Sequence, residues 1–199
     1  MEQTIEIIGT LTGIVYLWLE YRASIYLWIA SIIMPAIYLY IYYNAGLYAD
    51  FGINIYYLLI AFYGWLAWRF DFHLFGKKES KNKELEITHT PKRVWVKLVA
   101  TYAVAQLVIS YILLNYTDST VPWWDSFTTA LSIVGMWMLA RKYVEQWWIW
   151  LIVDITSAML YIYKGLVFTA ILYAFYAIIS IFGYYKWIKM MQKDERAEI

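Results

Sequence analysis

Seven apolar stretches, separated by short polar breaks, organise the chain; they fall at roughly 4–20, 25–43, 51–69, 94–116, 124–140, 146–163 and 167–187. Each approaches the ~20 predominantly apolar residues that a helix needs to cross the hydrocarbon core of a bilayer. The pattern therefore predicts seven membrane-spanning helices, helix 1 to helix 7 in chain order. The first stretch opens with Glu2 and Glu6 where a secretory signal carries basic residues, and no small-residue cleavage site follows, so it reads as a retained helix. The region 71–93, rich in Lys, Glu and Asn, reads as a mobile polar linker.

Composition supports this picture and narrows it. Of 199 residues, 63% are hydrophobic and 21% aromatic, while 16% are charged, against about 25% in an average soluble domain. A soluble fold of this length needs more polar surface than that, so the lipid bilayer is the expected solvent. With no cysteine, disulfides and thiolate metal sites are excluded. A net charge of +1 gives no electrostatic case for nucleic acid. His73 and His89 lie in the linker without partners at metal-ligand spacing, so neither a metal nor another cofactor is expected.

Cation placement orients the chain. With the N-terminus outside, Arg22, the linker cations, Arg141, Lys142, Lys186, Lys189, Lys193 and Arg196 all fall inside, and only Lys164 falls outside. The positive-inside rule thus selects an outer N-terminus and a cytoplasmic C-terminus.

An ungapped self-comparison at an offset of 119 residues pairs Trp18 with Trp137, Arg22 with Arg141, Trp28 with Trp147, Tyr42 with Tyr161, Gly46 with Gly165, Leu47 with Leu166, Tyr57 with Tyr176, Gly64 with Gly183 and Trp68 with Trp187. Apolar helices produce spurious Leu and Ile matches, but Trp, Gly and Arg are hard to match by chance, so the pairing reads as duplication. The expected organisation is a first three-helix repeat at 1–70, the linker at 71–93, a linker helix at 94–116, a second repeat at 122–189 and a cytoplasmic tail at 190–199. Three crossings reverse the chain and helix 4 reverses it again, so both repeats enter from the same side. The predicted fold is all-α and integral to the membrane, in a 3+1+3 parallel-repeat arrangement like that of the SWEET sugar transporters. Gly9 with Gly13, and Gly64 and Gly183, read as small residues that let neighbouring helices approach.

Polar side chains are expensive in hydrocarbon, so their periodicity marks the protected faces. Helix 6 carries Trp147, Trp150, Asp154, Ser157 and Tyr161 on one face; helix 7 carries Tyr173, Tyr176, Ser180, Gly183 and Trp187. Helix 3 contributes Asn54, Tyr57, Ala61, Gly64 and Trp68, and helix 4 Tyr102, Gln106 and Ser110. Together these stripes can line a cavity for a flat, aromatic solute. Asp154 is the one acid well inside a span, and no Lys or Arg reaches a comparable depth, so it must be neutralised, hydrogen-bonded or met by a cationic ligand. Its counterpart in the first repeat is Pro35, which predicts a kink or hinge in helix 2. Trp65 and Trp68, one turn apart, can grip a flat ring or sit in an interfacial aromatic belt; the belt is the expectation for Trp68, Trp187, Trp123 and Trp124.

The motifs resemble those of the PnuC-type vitamin transporters. In the second repeat these are Asp125-Ser126-Phe127-Thr128-Thr129, Leu139-Ala140-Arg141-Lys142 followed by Glu145 and Trp147, Trp150 through Asp154, and Tyr161-Ile162-Tyr163-Lys164-Gly165-Leu166 with Thr169-Ala170 and Leu172-Tyr173. Gly46-Leu47-Tyr48-Ala49-Asp50 and Tyr63-Gly64-Trp65-Leu66-Ala67-Trp68 are similar to the first-repeat motifs. The resemblance implies uptake of nicotinamide riboside by facilitated diffusion, with a cytosolic kinase trapping the product, and it allows a homotrimer. Relatives carry thiamine or riboflavin, and thiamine is the alternative substrate. It also implies that Gln106 from helix 4, Asn54 from helix 3 and aromatic residues from helices 6 and 7 form the pocket. The expected substrate-binding set is Asn54, Tyr57, Trp65, Gln106, Trp150, Asp154, Tyr161, Tyr173 and Tyr176, with Pro35 as hinge.

Two other classes compete. A membrane enzyme needs a metal cluster or a paired acid and base; no histidine lies in a span and no second buried carboxylate is present. A SWEET-like sugar carrier shares the parallel arrangement, and Trp and Tyr can stack on sugar faces. A carboxylate that needs a cation separates it from a vitamin transporter.

Overall fold

The structure, a computed structural model, describes residues 13–45, 48–70 and 85–197. It is all-helical: α1 (13–21 among the described residues), α2 (Tyr26–Ala45), α3 (Tyr48–Phe70), α4 (Lys92–Tyr116), α5 (Pro122–Ala140), α6 (Gln146–Tyr163) and α7 (Val167–Ala197). Helices 2 to 7 reappear with ends shifted by a few residues, except that α7 continues to Ala197 instead of ending near 187, and the expected start of helix 1 lies outside the described residues. Gly9, His73, Gly46 and Leu47 lie outside the described residues. By length and composition alone, Lys92–Tyr116 and Val167–Lys193 are each long and apolar enough to cross a membrane.

The chain divides into two compact units. One comprises Met1–Glu86 with Ala140–Lys142, the other Ile87–Leu139 with Tyr143–Ile199. α4 therefore groups with α5, α6 and α7.

Local geometry repeats at the same 119-residue offset as the sequence. At the end of α1, Ala23 adopts a left-handed backbone (φ 49°) and the Ser24 amide donates to the Leu19 carbonyl at 2.9 Å. At the end of α5, Lys142 does the same (φ 51°), with the Tyr143 amide on the Met138 carbonyl at 3.0 Å. These are Schellman closures, in which a left-handed residue turns the chain back on the last helical carbonyls. Each is followed by the same two short bonds into the next helix: Leu27 to Ser24 and Trp28 to Ile25, then Gln146 to Tyr143 and Trp147 to Val144. Gly165 (φ 76°) closes α6 in the same way, where glycine adopts the left-handed conformation without steric cost.

Each unit is built on a notch. α2 packs on α3, and α6 on α7. In the first unit the Trp28 ring fills the space left by Gly64 and meets Trp68 edge to face, with centroids 5.5 Å apart and planes at 87°. In the second, Trp147 fills the space beside Gly183 and meets Trp187 at 5.7 Å and 89°. All four indoles are buried. This corrects the expectation that Trp68 and Trp187 form an interfacial belt: a ring on the α2–α3 or α6–α7 seam faces protein, however close it lies to a helix end. Trp123 and Trp124 are 57% and 54% exposed.

Part of the expected linker is firmly held. Within the second unit, the Val144 amide donates to the Thr88 carbonyl at 3.0 Å. The Glu145 carboxylate accepts from His89 Nδ1 at 2.6 Å and from the Thr90 backbone amide and hydroxyl at 2.8 and 2.7 Å. Burial pushes the Glu145 carboxyl up, but these hydrogen bonds outweigh it and hold it below the ordinary carboxylate range. A group depressed in the folded state adds stability above its unfolded value and loses it as pH falls through the folded one. Glu145→Gln is expected to cost about 1–2 kcal/mol near neutral pH. The deficit should shrink as pH drops below about 4.5, which thermal unfolding across pH 3–7 in detergent would measure.

Candidate functional site

The second unit gathers the polar chemistry. Along α6, Trp147, Asp154 and Ser157 are buried, while Trp150 and Tyr161 are half-buried. Asp154 is 7% exposed and accepts a hydrogen bond at 3.3 Å from the hydroxyl of Ser180, itself fully enclosed on α7. No Lys or Arg among the described residues pairs with it. Tyr161 and Tyr173 lie with ring centroids 5.1 Å apart, and Tyr173 and Tyr176 5.6 Å apart. The Tyr173 and Tyr176 hydroxyls are within electrostatic reach of Asp154. A buried acid beside several phenol rings can hold a flat cation by charge and by π contact.

A second polar cluster forms where α4 meets α5. Gln106 donates to Ser126 Oγ at 2.8 Å and to Ser110 Oγ at 3.2 Å, and the two serine hydroxyls are 2.7 Å apart. Trp150 packs against the core formed by Leu98, Val134, Met138, Tyr143, Ile149 and Val153. Its indole lies over Gly135, where an added Cβ would come within 3.3 Å of the ring. The buried Trp150 Nε1 has no hydrogen-bond partner among the described residues.

The first unit holds the remaining predicted residues. Asn54 and Tyr57 are half-buried on α3, and the Tyr57 ring lies 5.8 Å from Tyr56. Pro35 is buried inside a continuous α2. Trp65 meets Phe70 edge to face at 6.0 Å, and Trp68 packs against Trp28 and beneath Lys142, whose Nζ stands 4.5 Å from the ring centroid. Across the repeat, Asp154 and Ser180 correspond to Pro35 and Ala61, so the polar pair exists in one copy only.

Ser126, Ser180 and Gly135 complete the second-unit clusters but were absent from the predicted set. Ser180 was visible in the α7 stripe. Ser126 and Gly135 are small residues in an apolar helix, and only a neighbouring side chain reveals what they do.

The model of the family described as nicotinamide mononucleotide transporter matches residues 3–189. The nicotinamide riboside transporter PnuC of Escherichia coli (strain K12) is 24% identical over 92% of this chain and 84% of its own length. That of Neisseria mucosa is 26% identical over 94% of this chain and 72% of its own. The riboflavin/roseoflavin transporter RibM of Streptomyces davaonensis is 23% identical over 96% and 87%. The crystal structure of the vitamin B3 transporter PnuC shares the fold, with TM-score 0.67 and 24% identity over 94% of this chain and 81% of that one.

Proposed function

We propose, because this chain belongs to the nicotinamide mononucleotide transporter family, that it takes up nicotinamide riboside across the bacterial inner membrane by facilitated diffusion. The family is one of transporters rather than enzymes, and membership sets the sugar-carrier reading aside. The observation that carries the substrate reading is Asp154: a buried acid that no Lys or Arg among the described residues pairs with, close to Tyr173 and Tyr176, with Tyr161 packed against Tyr173. The pyridinium of nicotinamide riboside supplies the missing positive charge. Thiamine, also a ring cation, fits the same observation and is the second reading. A neutral isoalloxazine such as riboflavin gains nothing from it.

Phosphorylated vitamins are excluded in this reading, since phosphate recognition uses Arg, Lys or helix N-termini and the inward stripes of α6 and α7 carry no basic residue. Trapping then falls to a cytosolic kinase. The residues proposed to bind substrate are Asn54, Tyr57, Trp65, Gln106, Trp150, Asp154, Tyr161, Tyr173 and Tyr176, with Pro35 as the hinge. Like-oriented repeats, an outer N-terminus and a cytoplasmic C-terminus complete the reading. The matched Schellman turns and Trp–Gly–Trp notches support the first of these, and cation placement supports the other two. A homotrimer is compatible with it.

Calorimetry on detergent-purified protein with nicotinamide riboside, thiamine, riboflavin and their phosphates tests the proposal, and quenching of the twelve tryptophans gives a second readout. Nicotinamide riboside should bind most tightly and the phosphates not at all. Tightest binding of riboflavin, or of any phosphate, would overturn it.

A further inference from the structure

The cluster around Gln106 has a unique distribution of protons. Ser126 Oγ lies 2.9 Å from the Trp123 carbonyl, which can only accept, so the Ser126 proton is committed there. The 2.7 Å contact between the two serines must then use the proton of Ser110. Ser126 Oγ has two lone pairs, one for Ser110 and one for the Gln106 amide nitrogen at 2.8 Å. That nitrogen also faces Ser110 Oγ at 3.2 Å and the Trp123 carbonyl at 3.4 Å, both acceptors toward it. Turning the Gln106 amide over would set its oxygen against the Trp123 carbonyl and against hydroxyls with no proton to spare. The amide is therefore locked. Its oxygen, Oε1, is buried with no hydrogen-bond partner among the described residues.

We infer that Ser126, backed by Ser110, is the positioning residue that holds Gln106 so that it offers only an acceptor, and that the ligand group it takes is the N–H of a primary carboxamide. This rests on the reading of Gln106 as a substrate-binding residue. A buried acceptor without a donor is costly, so a ligand lacking the N–H binds less well than one that supplies it. The carboxamide of nicotinamide riboside provides that donor.

The test compares nicotinamide riboside with 3-acetylpyridine riboside, in which a methyl replaces the amide NH2 while the ring cation, the carbonyl and the sugar are kept. Calorimetry on the purified full chain should show the acetyl analogue weaker by on the order of tenfold or more. In Ser126→Ala the Ser110 proton is released and the Gln106 amide can turn to offer its NH2 to the carbonyl that both ligands carry. The ratio should then fall to below about threefold. Ser110→Ala leaves Ser126 and the Trp123 carbonyl in place and should keep most of the preference. A packing role alone would weaken both ligands equally and leave the ratio unchanged.

Equal affinities for the two ligands in the parent protein would overturn the inference whether or not any variant folds. So would an undiminished ratio in Ser126→Ala. Failure of the parent to bind nicotinamide riboside at all would instead remove the substrate reading on which the inference rests, and the inference with it.

Discussion

Asp154→Asn is expected to weaken nicotinamide riboside binding by roughly a hundredfold, about 2–3 kcal/mol. The carboxylate is enclosed at 7% exposure and no Lys or Arg among the described residues compensates it, so in the proposed function a cationic ligand supplies the charge. Removing one member of a buried charge pair strands the other in a poorly solvated place, which makes the loss larger than that of a surface pair. Asparagine is close to isosteric, and its side-chain oxygen still accepts from Ser180 as the Asp154 Oδ2 does at 3.3 Å. The variant also buries a neutral amide in place of a charge, so its thermal midpoint should hold or rise. Calorimetry with nicotinamide riboside and thiamine reads the charge effect, and riboflavin serves as the neutral control. An affinity for both cations equal to the parent's would show that Asp154 does not pair with the ligand.

Much of this arrangement was legible in the sequence, for identifiable reasons. Helices in an apolar solvent announce themselves by length, and the duplication by rare residues: the Trp28, Gly64, Trp68 set and its counterpart Trp147, Gly183, Trp187 are the same notch at both levels. Asp154 stood out because a charge inside a span needs a reason. What periodicity could not resolve was which neighbour a face meets. Trp68 and Trp187 have the spacing and depth of belt residues, and only packing of α3 on α2 and α7 on α6 shows that their rings face protein. His89 looked like a solvated linker residue because its partner, Glu145, lies 56 positions away. The left-handed turns at Ala23 and Lys142 carry no glycine to betray them. The Ser126 relay was hidden for the same reason as the His89 contact: it joins residues from separate helices.

Gly183→Ala should destabilise the protein by about 3 kcal/mol, against the usual sign of that exchange. In an open helix the substitution is stabilising by up to about 1 kcal/mol, because alanine restricts the unfolded chain and favours the helix. Here an added Cβ would come 2.7 Å from three atoms of the Trp147 indole. The ring has no easy retreat: Trp147 is 1% exposed and Trp187 fully buried, locked edge to face at 5.7 Å. The clash must be relieved by separating α6 from α7, which spreads the contacts on both sides of Asp154. Gly64→Ala meets Trp28 in the corresponding notch and should lose a similar amount. Thermal unfolding followed by tryptophan fluorescence measures both variants. Pairing Gly183→Ala with Trp147→Phe, which shortens the ring, should recover part of the loss, and the double-mutant cycle isolates the steric term. A neutral or stabilising Gly183→Ala would mean that α6 and α7 are free to shift, and the close seam inferred for both repeats would have no energetic basis.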